Sequence, residues 1–496
     1  MSSASFNGLS RRFVALLNPE KTLLICVLLA TFFVILPSVS RIANPYQIDN
    51  GEGVMLDGAL RIRQHLPLYP NPFAFPVILN VYGPVSYATT ALILPHGAPS
   101  FPAGRLLMLT CSIALSSLLT VVLRRITGSW WVGASFGLLL LTLPAFRFWL
   151  YLLRADVIGV LFAMTGVAQY LLSKKYWYWS IPFFGLALFC KYSLIAAPVA
   201  VFIHLLVNRK IKLAFIFAVG LGTASTLAFI LLQAKTGGWF AFHMFSTHPD
   251  RYSLGRFSAL AALVLASSPV VTGLAAWFAV HDLREKGRSF PPVYLAASSV
   301  TALTAGKLGS HTNHFIELMV ACCLCAGLGY SLLLTKYAAK AWPITVLLSA
   351  SVLIGTLTQD LAGLHPPSDQ TGCAAAYQYV SRSPSSRVLS ENLGPLLLAG
   401  KPILVSDPFA YDQLLKRGLW PDRQVEERLA NRYFDLIVMS YDPSQIASSQ
   451  SRDKVRTNAW LAPLATVIGK NYRVVGHFDC RDARVMLEPI SSNPPR

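Results

Sequence analysis

Apolar residues dominate the first three-quarters of the chain, in runs of about 15 to 23 residues that recur from Thr22 to about Leu357. Runs of this length predict helices that cross a bilayer, because about 20 apolar residues span its hydrocarbon core. After Asp360 the apolar runs become much shorter and charged residues become frequent. The pattern therefore predicts a transmembrane domain at residues 1–358 and a water-soluble domain at residues 359–496.

The soluble part alternates short β-rich runs with helical stretches, which indicates a small α/β domain. The β-rich runs are RVLS (387–390), PILVS (402–406), FDLIVMS (434–440), YRVVGHF (472–478) and RVMLE (484–488), and the helical stretches lie around 373–381, 409–417 and 423–432. The sequence contains no G-x-G-x-x-G, Walker or HExxH motif, so no such nucleotide or zinc site is indicated.

Basic residues at the ends of the apolar runs predict how the helices are oriented. Arg11, Arg12 and Lys21 precede the first run and place the N-terminus in the cytoplasm. The long loop that follows, 40–103, contains two candidate interfacial helices at 51–65 and 81–95, and the second could also be a thin span. If 81–95 is interfacial, the basic clusters lie on the cytoplasmic side of the membrane, and the soluble tail (residues 359–496) lies on the outer side. The expected spans then number about eleven: 22–39, 104–123, 129–147, 157–173, 176–190, 193–207, 213–233, 257–280, 290–306, 315–334 and 341–358.

Composition and charge agree with this arrangement. The chain is 54% hydrophobic and only 13% charged, and its net charge is +19. Residues 1–358 hold 26 Lys and Arg against nine Asp and Glu, whereas the tail holds 16 against 14. Because the excess lies in the short loops of the membrane half, it indicates membrane topology rather than nucleic-acid binding.

The same topology collects the acids of the membrane half on its outer side. Ionisable groups at the edge of a membrane domain are costly unless they are paired, so a group of them on one face marks a site. The six acids on that side are Asp49, Glu52, Asp57, Asp156, Asp250 and Glu317.

The first external loop, QIDNGEGVMLDG, supplies the candidate catalytic base. Group transfer to a hydroxyl needs a carboxylate within hydrogen-bond reach of that hydroxyl, and Asp49 and Glu52 are the two candidates. A structural alternative is that Asp49 or Asn50 caps a helix with Glu52 in its first turn. Asp57 is interpreted as an ordinary interfacial charge.

Two further segments carry candidate groups on the same side. In FRFWLYLLRADVIG, Asp156 is a candidate catalytic acid and Arg154 a candidate phosphate ligand, although the pair could also be a helix cap with its ion-pair partner. Lys191, in FCKYSL, is a candidate phosphate ligand, or alternatively a lysine that extends to the interface. The loop 242–256, which carries Arg251, is a candidate cover over the site.

The segment KLGSHTNHFIE (307–317) is the last candidate group. His314 and Glu317 are three residues apart and would share a helical face. These side chains could bind sugar hydroxyls, phosphate or a metal, and no cofactor is expected beyond that open possibility of a divalent metal. The candidate substrate-binding residues in this segment are His311, Asn313, His314 and Glu317.

Six of the eight cysteines lie in apolar segments and are interpreted as packing residues. Cys373 and Cys480 are the two in the soluble tail. If the tail is extracytoplasmic, they could form a disulfide; sequence alone leaves this open.

The order of these segments resembles the GT-C superfamily of polyprenyl-phosphate-sugar-dependent glycosyltransferases. These include the protein O-mannosyltransferases, the lipid A aminoarabinose transferases and a bacterial branch described as RgtA/B/C/D-like. The segments that carry the resemblance are DNGEGVMLDGALRIRQHLPLY, YGP, RADVIG, CKYS and SHTNHFIE, and more loosely LLAGKPILVSDPF and FDLIVMS.

The resemblance implies inverting transfer by direct displacement, with a first-loop carboxylate as base, Asp156 supporting the site and Lys191 contacting the donor phosphate. It implies a multi-pass protein of the bacterial inner membrane with a periplasmic tail, acting on a glycan, lipid or protein acceptor. The chain departs from the adjacent Asp-Glu pair common in the superfamily, because Asn50 follows Asp49, so the choice of base stays open. The alternatives are a polysaccharide ligase or polymerase, an acyltransferase, a transporter of a lipid-linked substrate and a membrane scaffold.

Overall fold

A helical membrane domain is followed by a small sheet domain in the computed structural model. The structure describes residues 18–95, 98–173, 175–247, 251–285, 287–361, 370–420, 423–443, 464–481 and 483–490. The helices of the first part are α1 Pro19–Ala43, α2 Asn50–Arg63, α3 Pro84–Ile93, α4 Phe101–Thr127, α5 Trp130–Thr142, α6 Pro144–Arg147, α7 Ala155–Leu172, α8 Ser180–Leu188, α9 Ala196–Val207, α10 Ile211–Lys235, α11 Leu254–Ser267, α12 Pro269–Arg284, α13 Phe290–Ala302, α14 Ile316–Lys336 and α15 Ala338–Leu361.

Six helices in the described part of the chain are long and apolar enough to cross a membrane: α1, α4, α7, α10, α14 (with the short turn from Thr312 before it) and α15. The predicted polytopic helical protein is therefore confirmed, but the number of eleven spans is not. The expected single helix at 257–280 is wrong, because α11 and α12 meet at an angle of 95°. The break falls at Ser268, directly before Pro269, whose ring nitrogen cannot donate a helical hydrogen bond.

The first loop contains the two expected short helices, α2 and α3. Residues 51–60 of α2 are all buried, so this helix is covered by other parts of the protein. Its burial on every side explains why glycines occur at three of its positions. A Cβ at Gly58, for example, would lie 2.3 Å from the Tyr87 ring of α3. The helix α3 has ten residues, which is too short to cross a bilayer on its own.

The tail forms a four-stranded sheet with strand order β1-β2-β4-β3. β1 and β2 are parallel, whereas β4 pairs antiparallel with both β2 and β3. Cys373 and Cys480 are joined by a disulfide that links the first helix of the tail to the loop after β3. The elements are α16 Gln370–Arg382, β1 Val388–Ser390, α17 Gly394–Leu398, α18 Pro408–Lys416, α19 Gln424–Ala430, β2 Leu436–Met439, α20 Ala465–Asn471, β3 Tyr472–His477 and β4 Val485–Pro489.

One expected strand of the tail, 402–406, is not part of the sheet. Its Val405 forms a single parallel bridge with Val77 of the first loop, and Ser406 binds the backbone of Leu79 through its hydroxyl. Val77 and Leu79 belong to the same buried apolar cluster as the centre of the tail. The segment is apolar because it docks the tail onto the first loop, which local sequence patterns cannot distinguish from a strand.

A second contact joins the tail to the loop just before α2. The Gln47 side chain donates to Asn392 Oδ1 at 3.2 Å and accepts from Gly394 N at 2.7 Å. The Tyr377 hydroxyl lies 3.3 Å from the Gln47 backbone nitrogen, which donates to it. The tail therefore holds the chain two residues before Asp49.

Candidate active site

Asp49 is the N-cap of α2 and remains accessible. Its Oδ1 accepts a hydrogen bond from Gly51 N at 3.0 Å and lies 3.3 Å from Nη1 of Arg154. The side chain is 22% exposed, although the loop around it is largely buried. The capping role expected from the sequence and access to solvent are therefore both present at Asp49.

Glu52 is fully buried and forms an ion pair with Arg105 of α4. Arg105 donates from Nε to Oε1 at 2.8 Å and from Nη2 to Oε2 at 2.7 Å. The same guanidinium also binds backbone carbonyls of the first loop, those of Asn44 and Tyr46. With its oxygens committed to these donors and to the Ile48 N–H, Glu52 fixes the shape of the loop that carries Asp49.

Asp156 and Lys191 form the second charged pair of the site. Lys191 Nζ donates to Asp156 Oδ1 at 2.6 Å, and Asn313 Nδ2 donates to the same oxygen at 3.1 Å. Asp156 is 2% exposed, and no described donor reaches its other oxygen, Oδ2. A buried carboxylate oxygen without a donor is costly, so this position is suited to a hydroxyl or N–H group of a ligand.

Arg154 lies near both Asp49 and the Asp156–Lys191 pair. It lies two residues before Asp156, contacts Asp49, and donates from Nη1 to the Tyr82 hydroxyl at 3.1 Å. Burial raises the pKa of Tyr82 to about 12, and both Asp49 and Asp156 are near enough to add to the shift. Asp49 therefore contacts the Arg154 guanidinium, and Asp156 lies near enough to interact with it electrostatically.

Glycines in two of the short motifs allow the turn that carries Lys191 to approach its neighbours. A Cβ at Gly83, in YGP, would lie 1.9 Å from the Phe189 carbonyl oxygen. A Cβ at Gly159, in RADVIG, would lie 2.2 Å from the Leu194 side chain. The Gly83 N–H also donates to the Cys190 carbonyl at 3.0 Å. These motifs thus assemble around the turn between α8 and α9.

His311 lies in the same site, next to the rings of Trp149 and Phe148 at centroid distances of 5.6 and 6.1 Å. Burial lowers the pKa of His311, and the Asp49 carboxylate nearby offsets part of that shift. The neutral imidazole can accept or donate a hydrogen bond at a substrate hydroxyl.

The remaining candidates of 307–317 have different partners. His314 Nδ1 lies 2.9 Å from the Thr304 hydroxyl, on the side of α13. Glu317 is 4% exposed and accepts hydrogen bonds from the Ala197 N–H at 2.9 Å and the Tyr294 hydroxyl at 3.4 Å. The two side chains therefore bind different elements, and no group of three metal-ligating side chains occurs among the described residues.

The loop 242–256 is described on both sides of residues 248–250, and Asp250 lies outside the described residues. Arg251 is exposed, and its backbone carbonyl accepts from the Leu308 N–H at 3.0 Å. Arg256 instead reaches the segment with its side chain, donating to the Ser310 carbonyl at 2.6 Å. Asp57 forms a buried ion pair with Arg61 at 2.9 Å, within α2.

The tail contributes Asp407, which caps α18 by accepting from the Ala410 N–H at 3.0 Å. Burial raises the pKa of Asp407 to about 6, and the Arg154 guanidinium offsets part of the shift. The same turn places the Phe409 ring against Gly309, where a Cβ would lie 2.8 Å from the ring. The first turn of α18 therefore lies beside the site.

Sequence reasoning missed Arg105, Tyr82 and Asp407. Arg105 had a usable signal, because an arginine in the first turn of an apolar helix requires a partner, and the excess acids of the first loop were available. Asp407 precedes a proline, which predicts a helix cap, but nothing in the sequence places that cap beside Arg154.

Solved structures with a similar fold include proteins from two organisms. ArnT from Cupriavidus metallidurans, bound to undecaprenyl phosphate, is 12% identical with a TM-score of 0.62, over 95% of this chain and 99% of that chain. The Archaeoglobus fulgidus oligosaccharyltransferase in complex with Zn and sulfate is 12% identical with a TM-score of 0.53, over 92% and 73%. AglB from the same organism, in complex with an inhibitory peptide and a dolichol-phosphate, is 12% identical with a TM-score of 0.52, over 91% and 72%.

No family model and no curated protein sequence matches the chain. The structural neighbours are GT-C glycosyltransferases. The GT-C fold expected from the short motifs is therefore confirmed, over nearly the whole chain.

Proposed function

We propose that this chain, which has the GT-C fold, is an integral-membrane glycosyltransferase that transfers a sugar from a polyprenyl-phosphate donor to an acceptor. The observation that carries the proposal is the ion pair of Asp49 with Arg154, which lies near the ion pair of Asp156 with Lys191. This group of side chains combines an accessible carboxylate with two cations, as the reaction requires. The fold shared with proteins bound to undecaprenyl phosphate or dolichol-phosphate supports the lipid class of the donor.

The reaction is a single displacement at the anomeric carbon. The acceptor oxygen forms a bond to that carbon as the bond to the phosphate oxygen breaks, so the configuration inverts. The acceptor proton passes to Asp49, and the polyprenyl phosphate leaves with the electron pair of the broken bond. Arg154 and Lys191 stabilise the charge that develops on the departing phosphate.

Asp49 is the better base of the two first-loop carboxylates. It is exposed to the site, whereas Glu52 is buried and bound to Arg105. A general base must reach the proton that it removes, and only Asp49 among these two has a free approach. Glu52 then acts by holding the loop.

The charge of the site favours a donor with one phosphate. Asp49, Asp156 and Asp407 balance Arg154, Lys191 and Arg256. A sugar joined to a polyprenyl monophosphate brings only a single negative charge to this balanced group. A diphosphate donor would bring a second negative charge for which these residues supply no further cation.

The location that fits this function is a bacterial inner membrane, with the tail in the periplasm. The basic residues of the membrane half support that orientation. The disulfide between Cys373 and Cys480 also supports it, because such bonds persist in oxidising compartments.

The experiment is a transfer assay with purified protein in detergent. Undecaprenyl-phosphate and undecaprenyl-diphosphate sugars are supplied separately, and release of the undecaprenyl carrier is measured with membrane extract as the source of acceptor. We expect release from the monophosphate donor, and a loss of about 100-fold in Lys191→Ala. Asp435→Asn, in a tail ion pair with Arg387, is the control and retains activity. Release from neither donor, or from the diphosphate donor alone, would contradict the proposal.

A further inference from the structure

We propose that Glu317 is a positioning residue, which sets the place of Lys191 by capping the helix that follows it. The inference rests on the proposed function, in which Lys191 binds the donor phosphate. The sequence predicted that Glu317 contacts the substrate directly. In this proposal Glu317 acts instead through the backbone of α9.

The start of α9 has no side-chain cap of its own. Its N-cap position is Ile195, whose side chain cannot accept a hydrogen bond. The Glu317 carboxylate, from α14, accepts from Ala197 N at 2.9 Å instead. Because the first amide groups of a helix lack partners within it, an acceptor from another helix fixes where this one begins.

Lys191 lies in the short turn between α8 and α9, so both ends of that turn determine its position. At the α8 end, the Gly83 N–H donates to the Cys190 carbonyl at 3.0 Å. At the α9 end, the Leu194 N–H donates to the Lys191 carbonyl at 3.0 Å, and Glu317 anchors the helix three residues later. The turn is therefore held by the first loop on one side and by Glu317 on the other.

The segment that carries Glu317 also holds the partner of Lys191. Asn313, four residues earlier, donates to Asp156 Oδ1, the oxygen that Lys191 binds at 2.6 Å. One short segment thus fixes both the carboxylate and the start of the helix after the lysine. Removing the Glu317 acceptor separates these two constraints and loosens the Lys191 ammonium from its place.

The test measures binding of undecaprenyl phosphate to the full-length protein in detergent micelles. We expect Lys191→Ala and Glu317→Ala each to weaken binding by about tenfold, the loss typical of a hydrogen bond to a charged group. The double variant should bind as weakly as Lys191→Ala alone, because Glu317 acts only through the lysine. Glu317→Gln keeps an acceptor oxygen for Ala197 N and should restore binding to within about twofold of the wild type.

Glu20→Ala is the matched control. Glu20 accepts from the Ser129 hydroxyl at 2.8 Å, at the start of α5, so it is another acid at the beginning of a membrane-domain helix. Its variant should bind undecaprenyl phosphate normally. Folding of every variant is checked by its melting temperature, and Glu317→Asp, which withdraws the acceptor by one methylene, replaces Glu317→Ala if the alanine variant does not fold.

Several results would overturn the assignment. Wild-type binding in Glu317→Ala, or losses that add in the double variant, would show that Glu317 does not act through Lys191. Loss of binding in a folded Glu317→Gln variant would show that the charge, and not the acceptor, is what matters. Failure of the wild-type protein to bind undecaprenyl phosphate would contradict the proposed function itself, a result separate from any difference among the variants.

Discussion

Arg154 occupies the space that Gly51 leaves empty. A Cβ at position 51 would lie 1.4 Å from Nη1 of Arg154, and that nitrogen is 3.3 Å from the Asp49 carboxylate. No side chain can be added at Gly51 without moving the guanidinium. The glycine after Asn50 is therefore required by the arginine of another motif, more than a hundred residues away in the sequence.

Gly51→Ala should displace Arg154 and lower sugar transfer by about 100-fold, because a misplacement of about 1 Å at a reacting group has an effect of that size. The helix itself should tolerate alanine, which is a better helix former than glycine. The rate of undecaprenyl-phosphate release and the melting temperature, measured together, separate these two effects.

Gly185→Ala is the control for that substitution. Gly185 is also helical, and a Cβ there would meet no atom within 4 Å. Its variant should retain activity and gain slightly in stability. Activity close to the wild type in Gly51→Ala would contradict the role given to Arg154.

Labelling of single cysteines tests the orientation. Lys470→Cys, on an exposed part of the tail, should react in intact cells with a thiol reagent that cannot cross the inner membrane. Glu285→Cys, exposed at the end of α12, should be protected until the membrane is opened, since the basic residues place that end in the cytoplasm. The reverse pattern would place the tail, and with it the site, in the cytoplasm.

Asp407 should make the stability of the protein depend on pH. The ordinary pKa of an aspartate is about 3.9, and burial raises the pKa of Asp407 to about 6 in the folded protein. The folded state therefore holds the proton more tightly than the unfolded state, so this group lowers stability as pH rises from about 4 to 6. Asp407→Asn keeps the helix cap and removes the titration.

The melting temperature of Asp407→Asn relative to the wild type should thus rise between pH 4 and 6, by a few degrees, and then stay constant. Asp435→Asn should show the opposite trend in a lower window, below about pH 4, where the wild type loses the stabilisation given by ionised Asp435. Burial alone would raise the pKa of Asp435, but hydrogen bonds from Arg387 and Ser385 lower it, so its ionised form stabilises the folded state. Parallel curves for wild type and Asp407→Asn would contradict the burial of Asp407 beside Arg154.

Charge and hydropathy can be read along the chain, so the sequence predicted which charged residues lie on the same side of the membrane domain. Asp49, Arg154, Asp156, Lys191 and Asn313 were all expected on one side of the membrane domain. The structure pairs Asp49 with Arg154, and it binds Asp156 to both Lys191 and Asn313. The GT-C fold followed from the order of the same short motifs.

Other features depend on contacts between distant segments, which no local pattern reports. The partner of Glu52 is Arg105, 53 residues further on, and that pairing is what distinguishes Glu52 from Asp49. The segment 402–406, which docks on Val77, likewise cannot be recognised from its sequence, because it has the composition of a strand. The break between α11 and α12 is marked in the sequence only by the proline that follows it, because the apolar run continues through both helices.

The central claim is that Asp49 is the base and that Glu52 holds its loop. Asp49→Asn keeps the helix cap, since asparagine is as good an N-cap as aspartate, but removes the proton acceptor. Glu52→Gln replaces an oxygen that accepts from Arg105 with a donor, so it should lower the melting temperature.

The most direct measurement is the rate at which Asp49→Asn releases undecaprenyl phosphate. The affinity of the same variant for undecaprenyl phosphate is measured alongside, so that a loss of catalysis is distinguished from a loss of binding. We predict a rate at least about 100-fold below the wild type, as for loss of a general base, with an unchanged melting temperature. A folded Asp49→Asn protein that transfers sugar at the wild-type rate would contradict the assignment of the base.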